Sequence, residues 1–380
     1  MMVTNSIKGI NRRQLLGWLA AAPLLAKTQL SQASETQVIE QQAQRLYASA
    51  AKNVQGGYYL SFFNALGQEQ TSHPLPARAH QVLADPVRGW LFTLARRPGD
   101  FITIYDYRNQ QAITTLAVQA GHYLQGHALL SPDGRYLYTS ETRLENDQGY
   151  LVVRDLDDDF KVVKELPTHG IEPHEFLWMP DGKTLVIANG GIKTKGREKL
   201  NLATMQSALV YLNSQTGELI EKQQLADEFH QCSLRHLDVA PDGQVIIALQ
   251  YQGHLADSVP LVLAHRQGEA LVSMALPERL YSQLKHYCGS ACFDTSGRFA
   301  AISAPRGNHV ILWDMQQRAF LSSIYAADGC GLAATNKAGE FLVSTGRGKV
   351  YQFSALTGEQ QLLPLEESSQ WQWDNHLTAI

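Results

Sequence analysis

An all-β fold, a seven-bladed β-propeller whose N- and C-terminal strands close one blade, is predicted by a recurring motif, by its spacing, and by the strand-length apolar runs between turns. The motif joins the start of a short apolar strand to a Pro-Asp-Gly type of turn: HALLSPDG at 127–134, HEFLWMPDG at 174–182 and HLDVAPDG at 236–243. Weaker copies are SACFDTSG at 290–297 and GLAATNKAG at 331–339, and HQVLADPVRG begins at His80. The starts at 80, 127 and 174 lie 47 residues apart, which accommodates four short strands with their turns, one propeller blade. A stack of sandwiches would leave that period unexplained.

Each element can be justified in turn. In the second blade, 128–131, 136–140, 150–155 and 161–166 read as four strands bounded by turn residues. The Asp-Gly pairs at Asp133, Asp181 and Asp242 are hairpin-turn chemistry, and Trp313-Asp314 closes a repeat strand. The step from His174 to His236 is longer, and KTKGREKLNLATMQS at 193–207 is read as an insertion between the second and third strands of blade three. Six starts leave the chain ends. HLTAI at 376–380 supplies a seventh inner strand, with 58–64 as second strand of that blade and 70–74 as a further one. Joining the two ends removes an open sheet edge.

Ahead of the propeller, assigned to 56–380, residues 1–33 read as a signal peptide. Asn11-Arg12-Arg13-Gln14-Leu15-Leu16 leads into an apolar run to Ala26 and a Ser31-Gln32-Ala33 cleavage site. The arginine pair resembles a twin-arginine leader, the alternative being an ordinary secretory one. Either places the mature protein in the periplasm, without membrane attachment after cleavage. Residues 34–55 read as a polar helix or linker. With 380 residues, 44% of them hydrophobic, the chain can bury a large core, and a formal net charge of −4 offers no general attraction to nucleic acid.

In a propeller, the loops leading into the inner strands and those joining second to third strands open on one face. Those leading in carry histidine pairs, His122 with His127, His169 with His174 and His230 with His236, then His286. The second member of each pair, with His80 and His376, is placed to face the central channel. These five are the candidate metal ligands, copper or iron foremost, since imidazole suits such ions. His122, His169, His230 and His286 would ring the face above. The competing reading makes each histidine a structural hydrogen-bonding residue, and seven strand starts around a channel are a wide frame for one ion.

Arg97 with Arg96, Arg143, Arg197, Arg306 and Arg347 come from the second-to-third-strand loops and would form a positive rim for an anionic ligand, a metal chelate or an acidic protein. Glu141 and Glu175 are candidate ligands or acid–base groups, although Glu175, next to His174 on a strand, should point the other way. Of the four cysteines, Cys288 and Cys330 are the first candidates for a disulfide in an oxidising compartment; inert buried thiols and a thiolate-ligand role are the other readings. No nucleophile elbow, zincin motif, phosphate loop or dinucleotide fingerprint is present in the sequence.

GIEPHEF at 170–176, ANGGI at 188–192, SLRHL at 233–237, YCGS at 287–290, APRG at 304–307, CGLA at 330–333 and WDNHL at 373–377, together with the leader, resemble a family of twin-arginine-exported propellers found alongside imelysin-type periplasmic iron-uptake proteins. That family shares the broad fold of quinoprotein amine dehydrogenase propeller subunits, and the fold is also similar to the nitrous oxide reductase propeller with its channel histidines. The resemblance implies a part in iron or other metal acquisition and a partner protein in that system. Binding at the His/Arg face is the leading expectation. A copper or iron oxidoreductase and a docking scaffold for haem or imelysin-type proteins are the alternatives.

Overall fold

A computed structural model describes residues 44–196, 198–365 and 371–380. The leader at 1–33, residues 34–43 and Arg197 lie outside the described residues. Seven antiparallel sheets form the ring, as the repeat predicts. Blade one runs from Ala79–Asp85 at the axis through Trp90–Ala95 and Phe101–Asp106 to Gln111–Ala117 at the rim. Blade two comprises His122–Leu130, Tyr136–Arg143, Gly149–Asp155 and Lys161–Pro167; the last three lie near the expected bounds, whereas the first begins six residues before the expected 128. Blades three to six begin at Pro173, Cys232, Ala291 and Gly329. The insertion in blade three carries its own small hairpin, Thr194–Lys195 with Glu198–Lys199.

The closing blade differs from expectation by one strand. Leu46–Lys52, placed in a polar helix or linker by its sequence, is a strand and pairs along its length with Tyr58–Asn64. Alternate small residues in LYASAAK suit a strand covered on both faces, and Ala48, Ser49 and Ala50 are almost fully buried. Tyr58–Asn64 is therefore the third strand, not the second, and Glu69–Leu75 is the outermost. The inner position is filled from the C-terminus: Trp373 pairs with Ala51, and Thr378 with Ala48. Ser49 Oγ donates to the His376 carbonyl at 2.6 Å, and Thr378 Oγ1 to the Val82 carbonyl of blade one at 2.5 Å.

Apolar side chains fill every interface between neighbouring blades. Phe92 and Leu124 lie in the cluster between blades one and two, Leu151 and Phe176 between two and three. One larger cluster spans blades three to five and takes in Leu280 of the short helix Glu278–Gln283. Phe299 and Phe341 lie between blades five and six, Phe63 and Trp373 between six and the closing blade, and Leu60 and Val82 complete the circle. Trp373 carries much of the closure, buried with its ring 5.5 Å from that of Phe63. Trp373→Ala is expected to lower unfolding free energy by about 3–5 kcal/mol; Val87→Ala, at a side chain 82% exposed, should change it by less than about 0.5 kcal/mol. Urea denaturation checks both.

Candidate metal centre

Inner strands direct the histidines through a repeated irregularity. In blades one to four the pairing of the first and second strands shifts register at Ala79/Val82, Leu124/Ala128, Pro173/Phe176 and Leu234/His236. Such bulges break the simple alternation of side chains and re-aim one of them. His80, His127, His174 and His236 lie within or at the end of these shifts and face the channel. In blade three both His174 and Glu175 fall inside the shift. Glu175 consequently turns inward, contrary to the alternation expected from its position, and its carboxylate lies 3.3 Å from His236 Nδ1 and 3.7 Å from His127 Nδ1.

His376 arrives by another route. Blades five and six present Ser290 and Gly331 at the corresponding positions, and these small residues leave room for the C-terminal segment to lean across. Ser290 Oγ donates to the Asn375 carbonyl at 2.8 Å, and a Cβ on Gly331 would come within 2.9 Å of the His376 backbone. Gly126, at φ +102°, serves the same convergence: a Cβ there would meet His80 Cδ2 at 2.8 Å.

All five histidines are buried, none more than 8% exposed. Neighbouring ring centroids are 4.6 to 6.0 Å apart. His80, His127, His236 and His376 each offer a nitrogen within 4.8 Å of the others. His174 Nε2 stands 3.3 Å from His236 Nε2, close to the ~3.4 Å that separates two ligands of one tetrahedral ion with bonds of about 2.0–2.1 Å. The bulges and the leaning C-terminal segment narrow the frame that seven strand starts would give, to nitrogens within 4.8 Å of one another.

Both nitrogens of His80 and His127, Nδ1 of His174 and His236, and Nε2 of His376 have no hydrogen-bond partner among the described residues. Buried polar atoms are rarely left so. Burial, reinforced by neighbouring imidazoles and arginines, holds His80, His127 and His174 well below the ordinary histidine value, His236 at about 3 and His376 at about 4. These are neutral imidazoles with free lone pairs. Behind them, burial raises Glu175 to about 7 against the opposing effects of His376 and the Leu237 N–H, while Asp374 lies 3.8 Å from His80 Nδ1. Both carboxylates lie near the imidazoles without hydrogen-bonding them.

A cavity of about 400 Å³ opens above the rings; His80, His174 and His236 form part of its floor. Its wall includes Arg97 and Arg306, as the sequence suggested, Arg96, and three cations that sequence reasoning missed, Arg78, Arg235 and Lys199. Arg235 precedes His236 on its strand, and SLRHL was the available signal. It donates to Glu172 at 2.5 Å; Glu172 also contacts Arg97 and accepts from the Ile192 N–H. A Cβ on Gly190 would crowd that carboxylate at 2.7 Å, which ties ANGGI to GIEPHEF. Asp374 bridges Arg78 and Arg96 at 2.5 and 3.2 Å.

Other expected site residues lie elsewhere. His122 hydrogen-bonds Glu141 at 3.2 Å inside blade two, where Arg154 also holds that carboxylate, so both serve a buried structural network. Burial pushes Glu141 up, but these partners prevail and keep it below its ordinary value. His169 meets the Gly217 carbonyl, His230 the Asp227 carbonyl, and His286 the Tyr281 hydroxyl. Arg143 pairs with Glu165 over the Tyr150 ring, and Arg347 is exposed outside the cavity. All four cysteines are free and buried, so the Cys288–Cys330 disulfide is corrected. Cys288 packs in the core spanning blades three to five, whereas Cys330 lines a neighbouring pocket beside Asp374; burial raises both thiols to about 12.

Fold and site together define a seven-bladed propeller with a histidine-filled channel beneath a cationic vestibule. The chain belongs to the family described as "Protein of unknown function (DUF1513)", which matches residues 73–380. No match was found among curated proteins. Among solved structures, hydrazine synthase of Kuenenia stuttgartiensis is similar, with a TM-score of 0.60, 15% identity, and coverage of 80% of this chain and 88% of that one. A putative 6-phosphogluconolactonase from Bacteroides uniformis also gives 0.60, at 11% identity over 89% of this chain and 100% of that one. At these identities the likeness is one of fold.

The burial of neutral histidines has a pH consequence for chelator-treated protein. Unfolded, they protonate below about pH 6.5; folded, they stay neutral further down, so stability should fall as pH drops from about 6.5 toward the folded values of 3 and 4 for His236 and His376. Glu175 and Asp238, both raised to about 7 by burial, act in the opposite sense below 7. Replacing His127 and His236 by Gln should flatten the acid-side loss by about 1.4 kcal/mol per pH unit for each histidine removed. Urea unfolding of both proteins across that window tests it.

Proposed function

We propose that the protein binds one transition-metal ion in its channel, copper or iron foremost, through His80, His127, His236 and His376 with His174 beside them. A single observation carries the reading: four buried neutral imidazoles offer nitrogens within 4.8 Å of one another, and several of those nitrogens have no hydrogen-bond partner among the described residues. Imidazole is a good ligand for copper, iron, nickel and zinc. Glu175 and Asp374 would offset the ion's charge. The leader and the family resemblance support a periplasmic setting for this binding, in a system that acquires iron or another metal together with a partner protein.

A second reading, a copper- or iron-dependent oxidoreductase, is favoured by the cavity above His80, His174 and His236, which would let a small molecule approach the ion. The binding reading ranks first because it needs only the histidine cluster itself, whereas turnover needs an electron donor or acceptor in addition.

Elemental analysis of protein exported through its own leader and purified without a polyhistidine tag or chelator tests the proposal. About one equivalent of copper or iron per chain is expected, lost in a still-folded His127→Ala/His236→Ala variant. Absence of metal in the wild type, together with failure to take up added copper, iron or zinc, would overturn it.

A further inference from the structure

Six cations, Arg78, Arg96, Arg97, Arg235, Arg306 and Lys199, line the cavity above the histidines, and no carboxylate lines it among the described residues. The two carboxylates in contact with this group, Asp374 and Glu172, each serve two arginines. That leaves an excess of four positive charges at one concavity of a chain whose net charge is −4. Arg306 lies over the Tyr287 ring at 4.1 Å, and Lys199 donates to Gln252, a neutral acceptor. Arg235, with its side chain 9% exposed, has an Nε without a partner, and the buried Gln125 has a free Oε1.

We infer that this vestibule is a binding site for a small multivalent oxyanion, a polycarboxylate or a phosphate, held by the arginine guanidinium groups directly above the channel histidines. Arginine presents forked donors that match carboxylate and phosphate oxygens, and desolvated guanidinium groups gain most from an anionic partner. The condition of Arg97 supports this: burial, then repulsion from Arg235, lowers it to about 9. Burial followed by repulsion from Arg235, Arg97 and Arg306 lowers Lys199. An anion would relieve both. The volume of about 400 Å³ falls within the range of small-molecule sites, about 300–1,000 Å³. The inference stands on these cations and goes beyond the metal reading without depending on it; where an ion occupies the channel, the anion would lie next to it.

Calorimetric titration of the full mature chain with citrate and, separately, inorganic phosphate tests the site, before and after treatment with chelator. Micromolar binding of at least one probe is expected, with citrate or phosphate preference reporting which oxyanion the vestibule suits. Binding should weaken with added salt and by about tenfold for each of Arg96→Gln and Arg306→Gln, the loss of one charge-assisted hydrogen bond. Should the Arg96 variant fail the circular dichroism check, Lys199→Gln on the exposed hairpin serves in its place. Failure of both probes to bind folded wild-type protein, or unchanged binding in the Arg96→Gln/Arg306→Gln variant, would overturn the inference. Anion binding that persists in the chelator-treated His127→Ala/His236→Ala variant supports it, and metal analysis of the same samples shows separately whether the metal reading holds.

Discussion

The C-terminal segment closes the ring and completes the channel in one interaction. Pairing of residues 372–373 and 378–379 with Leu46–Lys52 joins the chain ends inside one sheet, which removes the exposed edge an open ring would carry. The intervening residues cross toward the axis because Ser290 and Gly331 leave room there. His376 thereby reaches His80 and His127, with centroids 4.6 and 4.8 Å away, and Asp374 binds Arg78 and Arg96 above them. Stability and site assembly consequently share the same contacts.

Around the remainder of the axis, successive blades are latched through side chains beside the bulges. Gln81 accepts from the Ala128 N–H at 2.6 Å, Glu175 from Leu237 at 2.9 Å and Asp238 from Phe293 at 2.6 Å. Each latch links the inner strand of one blade to that of the next. A polar group that satisfies an otherwise open backbone donor in the core is costly to remove, so the channel geometry is held by the same hydrogen bonds that register the ring.

Charge is stratified along the axis. Neutral imidazoles occupy the deepest layer, carboxylates stand behind them at Glu175 and Asp374, and the vestibule above is cationic. Such an order disfavours approach of a bare hydrated cation through the mouth and favours an anion, or an ion carried within an anionic chelate. The layer of arginines and the layer of histidines are coupled through Asp374, which faces His80 and pairs with Arg78 and Arg96. The two proposed sites therefore complement each other electrostatically while using different side chains.

Much of the fold was legible because a repeat states its period in the sequence: 47-residue spacing, apolar strands and Asp-Gly turns are local properties that a propeller repeats. The five channel histidines were legible for the same reason, since each opens a stretch that the sequence marks as an inner strand. Leu46–Lys52 was not, because a strand rich in alanine and serine owes its state to burial between two neighbours rather than to β-propensity. Nor were Arg235 and the inward turn of Glu175, which depend on bulges that set aside two-residue alternation. His122, His169, His230 and His286 share the sequence signature of the channel set and yet bind local partners. Sequence by itself determined the architecture and the inventory of donor groups, because periodicity and residue chemistry are written along the chain. Only the tertiary structure decided which donors meet, because convergence depends on ring closure, on the small residues that let the last strand cross, and on charges brought together from blades far apart in sequence.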